Sequence, residues 1–336
     1  MSMGMKMAGL NVIAGVDNDK DCQKTYEVNH PASKFFLRDL RKLPRTFFEK
    51  ECGVERNDDS LVFIGCSPCQ YWSVLNTERK SSEDTKGLLE DFWRFVSYYN
   101  PGFVVVENVP GIKYKESASG LKKFCEGLGK KGHQIAEGII DVQYYGVPQT
   151  RKRFVLIASR VNKSVSFPKP ERESILGDFI GSHNGFPVLE SGHRDENFMN
   201  TVATLSEKNL RRLKLTPKNG GTRAAWKDDP ELQLRAYKGK DDSFRDVYGR
   251  LRWDKPSSTI TTRFNGISNG RFAHPEEDRG LSLREGAVLQ TFEDYLFVCK
   301  HAKTAAKLIG NAVPPQLAYR IAKSICAEEA GSPEYG

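Results

Sequence analysis

Short apolar runs alternate with helical patterns in the first half of the chain. Four runs predict strands: Asn11–Val16, Leu61–Ile64, Phe103–Val106 and Phe154–Ile157. The apolar residues of each run are consecutive rather than alternating with polar ones, so we expect parallel strands that are covered on both faces.

Amphipathic helices separate these strands. Apolar residues recur at helical spacing from Leu88 to Tyr99, and Asn100-Pro101-Gly102 ends that pattern. A second helix is predicted from Ser119 to Gly132. Strands that alternate with helices are typical of an open, doubly wound α/β sheet.

The pattern weakens between residues 160 and 250, where Pro, Gly, Asn and Lys are frequent. This region includes a stretch with six basic residues and no acidic one: Lys208, Arg211, Arg212, Lys214, Lys218 and Arg223. The stretch is either a solvated helix face and loop or a surface that contacts phosphates. Regular helices return near the end, where Ser282 and Glu285 predict a capping box and Pro315 begins a helix.

Composition narrows the class of protein. The chain has 336 residues, of which 38% are hydrophobic and 28% charged, as in globular domains. No apolar run is long enough to span a bilayer, and the N-terminus does not resemble a secretion signal. Seven cysteines without such a signal predict reduced thiols in a cytoplasmic protein. The net charge of +8 favours a polyanionic partner only weakly.

Residues capable of chemistry follow the predicted strands. Asp17 follows the first strand, Gly65-Cys66-Ser67-Pro68-Cys69-Gln70 follows the second, and Glu107-Asn108 follows the third. Ligands of open α/β sheets bind beyond the carboxyl ends of the strands. We therefore expect these groups to meet at one crevice.

Cys66 and Cys69 form a C-x-x-C sequence that has three interpretations. The pair could be a redox couple at the start of a helix. A zinc site would need a second closely spaced pair of Cys or His ligands, which the sequence lacks, so we predict no metal site. In the third interpretation Cys69 alone is a nucleophile, and nearby N–H groups and cations favour its thiolate.

Glu107 is a costly residue to bury directly after an apolar strand. It is either paired with an arginine or kept partly protonated, so that it can donate a hydrogen bond to a ring nitrogen. Arg151 and Arg153 share one face if the following strand already begins there. They are either a charged strand entry or a pair that holds a carbonyl oxygen or a phosphate.

Five sequence motifs occur in a fixed order: GCSPCQ, VVENVPGI, YGVPQTRKRFVLIA, WDKPSSTITT and IGNAVPPQLA. This ordered set resembles the DNA cytosine-5 methyltransferases of prokaryotic restriction-modification systems. The resemblance implies a Rossmann-like doubly wound methyltransferase sheet with a small inserted target-recognition region. It assigns residues 1–159 to the catalytic and cofactor domain and 160–250 to target recognition. Residues 251–336 would carry the remaining motifs and close back on the catalytic domain.

The resemblance also implies a mechanism on duplex DNA. Cys69 would add to carbon 6 of a flipped cytosine, and Glu107 would bond its ring nitrogen and exocyclic amine. Arg153, and more indirectly Arg151, would hold the base carbonyl and the loop. S-adenosylmethionine would supply the methyl group for carbon 5. The cofactor contacts implied are Asp17 to the ribose, Asp39 to the adenine amine, and Asn311 and Val313 from the last motif.

The implied DNA contacts fall in two places. Gln70 and Ser73 match a mobile loop that extends to Lys86. The recognition region would contribute Arg211, Arg212, Lys218 and Arg223, with Arg250 a further candidate. The expected partner is double-stranded DNA, and the expected location is the bacterial cytoplasm, in association with the nucleoid.

The N-terminal sequence departs from the family pattern. Family members begin with a strand and a Phe-x-Gly-x-Gly-Gly loop, whereas MSMGMKMAGL matches the helix after that loop. A late start codon, a second chain that supplies the motif, or degeneration would each account for this. The alternative functions are therefore a catalytically impaired or partner-dependent DNA-binding subunit, and an RNA-modifying relative. The Cys-Phe-Thr tripeptide of the transfer-RNA branch is not found in the sequence.

Overall fold

The structure is a computed structural model that describes residues 1–66, 87–196, 198–237 and 246–326. The chain divides into two units. The first contains Met1–Asp141, Lys152–Pro170 and the residues from Leu317 onward. The second contains Val142–Arg151 and Glu171–Gln316.

The predicted strands and helices are present in the structure, together with others that the sequence pattern did not indicate. The strands are β1 (Ala14–Asp17), β2 (Lys34–Leu37), β3 (Val62–Gly65), β4 (Phe103–Asn108), β5 (Gln134–Asp141), β6 (Gln149–Thr150), β7 (Lys152–Ser159) and β8 (Ser257–Ser258). The helices are α1 (Ser2–Met7), α2 (Lys20–Asn29), α3 (Phe47–Cys52), α4 (Leu88–Tyr99), α5 (Gly111–Tyr114), α6 (Glu116–Ser119), α7 (Leu121–Lys130), α8 (Glu207–Leu215), α9 (Leu283–Leu289), α10 (Ala302–Asn311) and α11 (Pro315–Cys326). In the parts of the chain that the structure describes, no helix has the length and apolar character needed to cross a membrane.

The first unit contains a four-stranded sheet in the order β3-β4-β7-β5, and a separate parallel pair formed by β1 and β2. Strands β3 and β4 are parallel, but β7 is antiparallel to both β4 and β5. The prediction that Phe154–Ile157 belongs to a parallel strand is therefore wrong. The apolar run indicates that both faces of the strand are buried. The direction of the strand depends instead on the segment that connects it to the preceding strand. No α-helix lies between β5 and β7, and a parallel crossover needs a dozen or more residues.

The sequence pattern missed four strands, β2, β5, β6 and β8, and joined two helices. Strand β2 has only three consecutive apolar residues, β5 carries polar residues at both ends, and β6 and β8 consist of two polar residues each, so none of them forms a continuous apolar run. The predicted helix from Ser119 to Gly132 is interrupted at Gly120, which adopts a left-handed conformation with φ of 78°. The helix over Leu88–Tyr99 and the capping box at Ser282 are confirmed.

Helices cover one face of the sheet in the first unit, and Phe103, Val105 and Ile157 on the opposite face are also buried. Helices α4 and α7 contribute Leu89, Phe92 and Phe124 to a cluster with Val104 and Val106 of β4. A second cluster holds Phe95 and Tyr99 of α4 against residues that include Phe63 of β3 and Val16 of β1. This packing fixes the strands, and with them the polar residues at their carboxyl ends.

The core of the second unit contains a buried ion pair between Arg279 and Glu285. The two side chains are each 1% exposed, and Arg279 donates to both carboxylate oxygens at 2.7 and 2.8 Å. Burial alone would raise the pKa of Glu285, but the hydrogen bonds and charge of Arg279 outweigh it and lower that pKa below its usual range. Glu285 also accepts the Ser282 N–H of the capping box, so the pair anchors the start of α9.

Arg279→Leu is expected to destabilise the protein by about 3–5 kcal/mol at pH 7, because it leaves the Glu285 carboxylate buried without its partner. The folded-state pKa of Glu285 is depressed, so the wild-type pair contributes fully above the ordinary glutamate pKa. That contribution should fall as pH drops through the lower, folded-state value. Urea unfolding at pH 7 and at a series of lower pH values measures both effects. Arg252→Leu, which breaks an exposed pair with Asp254 that solvent screens, should cost far less; equal effects from both substitutions would contradict the prediction.

Candidate active site

The carboxyl ends of β3 and β4 lie side by side. Gly65 at the end of β3 pairs with Val106 of β4, so Cys66 and Glu107 follow at the same edge of the sheet. Burial, and then the charge of Glu107, raises the pKa of the Cys66 thiol to about 12. Solvent contacts this side chain, but the surrounding protein removes much of the hydration that a thiolate needs. Cys66 is therefore protonated at neutral pH and is a weak nucleophile.

Glu107 and Arg153 form an ion pair at this edge. The Nε atom of Arg153 lies 3.0 Å from Oε1 of Glu107, and only 9% of the Glu107 side chain is exposed. The two meet because β4 and β7 are adjacent antiparallel strands, in which Glu107 pairs with Val155. The structure thus brings together two of the four predicted catalytic residues, and a guanidinium holds the carboxylate in one orientation.

Asn108 is a further polar group that the sequence analysis left without a role. It is 3% exposed, and its Oδ1 accepts the N–H of Val109 at 2.7 Å. Its Nδ2 is buried and has no acceptor among the residues described. A buried amide donor without an acceptor is unusual and indicates that a ligand could accept its hydrogen bond. Its position directly after Glu107 was the only signal in the sequence.

Arg151 differs from Arg153 in its surroundings. Strand β7 begins at Lys152, so the strand pattern does not extend to Arg151 and the condition for a shared face is not met. Arg151 belongs to the second unit, where it is 4% exposed. Its guanidinium donates to the carbonyl oxygens of Ile260 at 2.9 Å, Gly310 at 3.3 Å and Ala312 at 3.4 Å. These contacts support backbone segments of that unit.

The predicted cofactor contacts lie at strand and helix ends. Asp17 is exposed at the end of β1, and its Oδ1 accepts the Asp19 N–H at 2.8 Å. Both carboxylate oxygens of Asp39 accept from Arg41, whose hydrogen bonds lower the pKa of Asp39. The second unit places Asn311 exposed at the end of α10 and Val313 in a buried position. Asp17 is exposed and Asp39 is partly exposed, and carboxylates beyond strand ends are the acceptors that ribose hydroxyls and an adenine amine require, so the residues present fit S-adenosylmethionine.

Two of the predicted DNA contacts are buried in the second unit. Arg212 is 5% exposed, stacks on Trp226 and Tyr248, and donates to the carbonyl of Leu232 at 2.8 Å. Arg223 is 4% exposed and lies over the ring of Tyr237. Both guanidinium groups hold the fold of this region, so their positions do not support the predicted contact with DNA. The apolar neighbours come from distant parts of the chain, which a count of local charges does not reveal.

The other basic candidates have varied surroundings. Arg211 is exposed and pairs with Asp229 and Glu231, while exposed Lys218 pairs with Asp278 at 2.8 Å. Arg250 is fully buried and donates to the carbonyls of Leu213 and Thr216 near the end of α8, which does not support a contact with bases.

Cys69, Gln70 and Ser73 lie outside the described residues.

Comparison with known proteins supplies the family. The family model for the C-5 cytosine-specific DNA methylases matches residues 1–327. The Type II methylase M.HgiDII of Herpetosiphon aurantiacus is 35% identical over 334 residues, covering 97% of this chain and 91% of the relative. The Type II methyltransferase M1.HphI of Haemophilus parahaemolyticus is 30% identical, covering 96% and 83%. An E. coli prophage structure, described as a DNA modification methyltransferase, shares the fold with a TM-score of 0.73 at 20% identity, covering 98% of this chain and 96% of that one.

The chain belongs to the C-5 cytosine-specific DNA methylase family. It is a DNA cytosine-5 methyltransferase with a Rossmann-like fold that uses S-adenosylmethionine as the methyl donor. The predicted fold class and reaction are confirmed.

Proposed function

We propose that this chain is the modification methyltransferase of a bacterial Type II restriction-modification system and acts on duplex DNA in the cytoplasm, at the nucleoid. The observation that carries the chemistry is the pair of Glu107 and Arg153 beside the strand end that leads to Cys69. The two relatives described above are both named as Type II enzymes, which supports the biological role.

In the proposed mechanism the Cys69 thiolate forms a bond to carbon 6 of a cytosine that has left the duplex stack. Glu107, held by Arg153, accepts a hydrogen bond from the exocyclic amine and donates a proton to the ring nitrogen, which favours addition by neutralising the negative charge that develops on the ring. When bound, S-adenosylmethionine supplies an electrophilic methyl group. Carbon 5 would take that methyl group, with S-adenosylhomocysteine as the leaving group, and would then lose its proton to a base. The bond between sulfur and carbon 6 breaks as the double bond returns, which releases the methylated base and the Cys69 thiolate.

Residues 160–250 form the target-recognition region in this proposal. Arg211 and Lys218 are its candidate phosphate contacts because both are exposed on the surface. Their present carboxylate partners would have to be exchanged for phosphates. We assign Arg212 and Arg223 to the stability of this region instead.

Lys218→Ala is expected to weaken binding to duplexes of every sequence and to lower the slope of log affinity against log salt by about 1. Arg211→Ala should do the same. Fluorescence anisotropy with two unrelated duplexes, measured from low to moderate salt, tests both variants. Lys122→Ala, an exposed substitution on α7 in the first unit, serves as the control. An unchanged salt slope for both test variants would remove these residues from the DNA surface.

Strands β1 and β3 each have an edge that pairs with no other strand among the described residues. Within the described residues β1 pairs only with β2, and β3 only with β4, although Val16 and Phe63 of the two strands share one hydrophobic cluster. We propose that a further parallel strand pairs with these edges and brings a glycine loop for the methionine part of the cofactor. In this proposal a second chain would supply that strand. Calorimetry of S-adenosylmethionine binding, with and without such a chain, tests it, and equally tight binding in both cases would contradict it.

Bisulfite sequencing of DNA from cells that express the protein tests the function and reads the target sequence together. Methylated cytosines in one recurrent sequence context are the expected result. No methylation, even with the additional strand supplied, would favour the non-catalytic DNA-binding subunit.

A further inference from the structure

A buried polar network joins three segments of the second unit. Gln149, Arg151 and Gln290 are 0%, 4% and 0% exposed. The Nε2 atom of Gln149 donates to Oε1 of Gln290 at 2.9 Å and to the carbonyl of Leu289 at 2.8 Å, and its Oε1 accepts the N–H of Ile260 at 3.1 Å. Both polar atoms of the Gln149 side chain are thereby used, which fixes its orientation.

The network satisfies the carbonyl groups at the end of α10. The last carbonyls of a helix have no partner within the helix. The Nε2 atom of Gln290 donates to the carbonyls of Ile309 at 2.6 Å and Ala312 at 3.3 Å. Arg151 reaches the carbonyls of Gly310 and Ala312. Its positive charge also stabilises the negative end of the helix dipole. The carbonyls on both sides of Asn311 are therefore held by buried side chains.

The same segment is packed closely on its other side. A Cβ atom placed on Gly310 would lie 2.3 Å from the carbonyl carbon of Thr261 and 2.4 Å from its oxygen. Only glycine allows this approach of two backbones. The backbone at Gly310 is thus enclosed by Thr261, Arg151 and Gln290, whereas the Asn311 side chain is exposed.

We infer that Arg151 and Gln290 are positioning residues for the cofactor, because they fix the backbone that presents Asn311, and that Arg151 does not act on the target base. The inference rests on the proposed function and on the predicted contact of Asn311 with S-adenosylmethionine. It also separates the two arginines of the QTRKR motif. Arg153 orients Glu107 at the reacting base, whereas Arg151 supports the cofactor side.

Two variants test the inference with little change in side-chain volume. Arg151→Lys keeps the charge but loses the guanidinium fork, and Gln290→Met removes the amide donors. Each should raise the KM for S-adenosylmethionine about tenfold and leave the KM for DNA unchanged. Hydrogen exchange at residues 309–313 should accelerate by a similar factor, because the segment loses partners that restrain it. Lys152→Ala, an exposed substitution next to Arg151, is the control for both measurements.

The exchange measurement separates this inference from the proposed function because it needs no methyl transfer. Unchanged hydrogen exchange at residues 309–313 in both variants would show that Arg151 and Gln290 do not restrain this segment. Faster exchange with an unchanged affinity for S-adenosylmethionine, measured by calorimetry, would overturn its cofactor role. If Arg151→Lys raised only the KM for DNA, Arg151 would act on the target base and the inference would be wrong. A wild-type protein that binds S-adenosylmethionine without methylating DNA would refute the proposed function, while the variants would still decide the inference.

Discussion

Cys69→Ser is expected to reduce methyl transfer by on the order of 10⁴-fold or more, while the affinity for duplex DNA stays the same. A serine hydroxyl is a far weaker nucleophile than a thiolate, so the covalent addition to carbon 6 should fail. Transfer of a labelled methyl group to duplex DNA measures the loss. A duplex with a cytosine that is fluorinated at carbon 5 should trap the wild type, but not the variant, as a covalent complex.

Cys66→Ser is the matched control for that substitution. The two cysteines are three residues apart, but burial and Glu107 raise the pKa of Cys66 to about 12, so it is not the expected nucleophile. This variant should therefore retain methyl transfer and trapping. Loss of activity in Cys66→Ser with retention in Cys69→Ser would reverse the assignment, and equal loss in both would favour a redox couple.

Glu107→Gln is expected to lower kcat by about 10²–10⁴-fold with little change in the KM for DNA. The amide keeps the shape of the side chain but lacks the acidic proton that the ring nitrogen needs. It also weakens the contact with Arg153, which lies 3.0 Å from the carboxylate. Single-turnover kinetics isolates the methyl-transfer step from product release.

A double-mutant cycle with Arg153→Ala tests whether the two side chains act as one unit. If Arg153 orients Glu107, the double variant should lose little more activity than Glu107→Gln alone. Glu116→Gln, on the partly exposed carboxylate that pairs with Lys113, is the control and should keep wild-type activity. Fully additive losses in the cycle would mean that Arg153 acts on the substrate independently of Glu107.

Much of the fold was readable from local patterns. The helix from Leu88 to Tyr99, the capping box at Ser282 and the buried strand at Phe103 all appear where the sequence predicts them. Each depends on residues only a few positions apart, whose periodicity records which face is buried. Glu107 was predictable for the same reason, because it directly follows the buried residues of β4.

Contacts between distant residues were not readable in this way. The basic stretch from Lys208 to Arg223 looks uniform in sequence, yet Arg212 is enclosed by Trp226 and Tyr248 while Arg211 is exposed. Likewise, the spacing of Arg151 and Arg153 suggested a shared face. Arg151 instead donates to carbonyls that lie 109 and 159 residues further along the chain.

By itself, the sequence determined the doubly wound α/β class, the order of the motifs and the acid that stands at the end of β4. The spacing of apolar residues is a local property of the sequence, because the buried face of a helix or strand determines which positions are apolar. Only the tertiary structure decided that β7 runs antiparallel, that Arg153 pairs with Glu107, and that Arg151 and Arg212 are internal supports. A buried arginine and an exposed one have the same side chain, and the hydrogen-bond acceptors that separate them are brought close only when remote segments pack together.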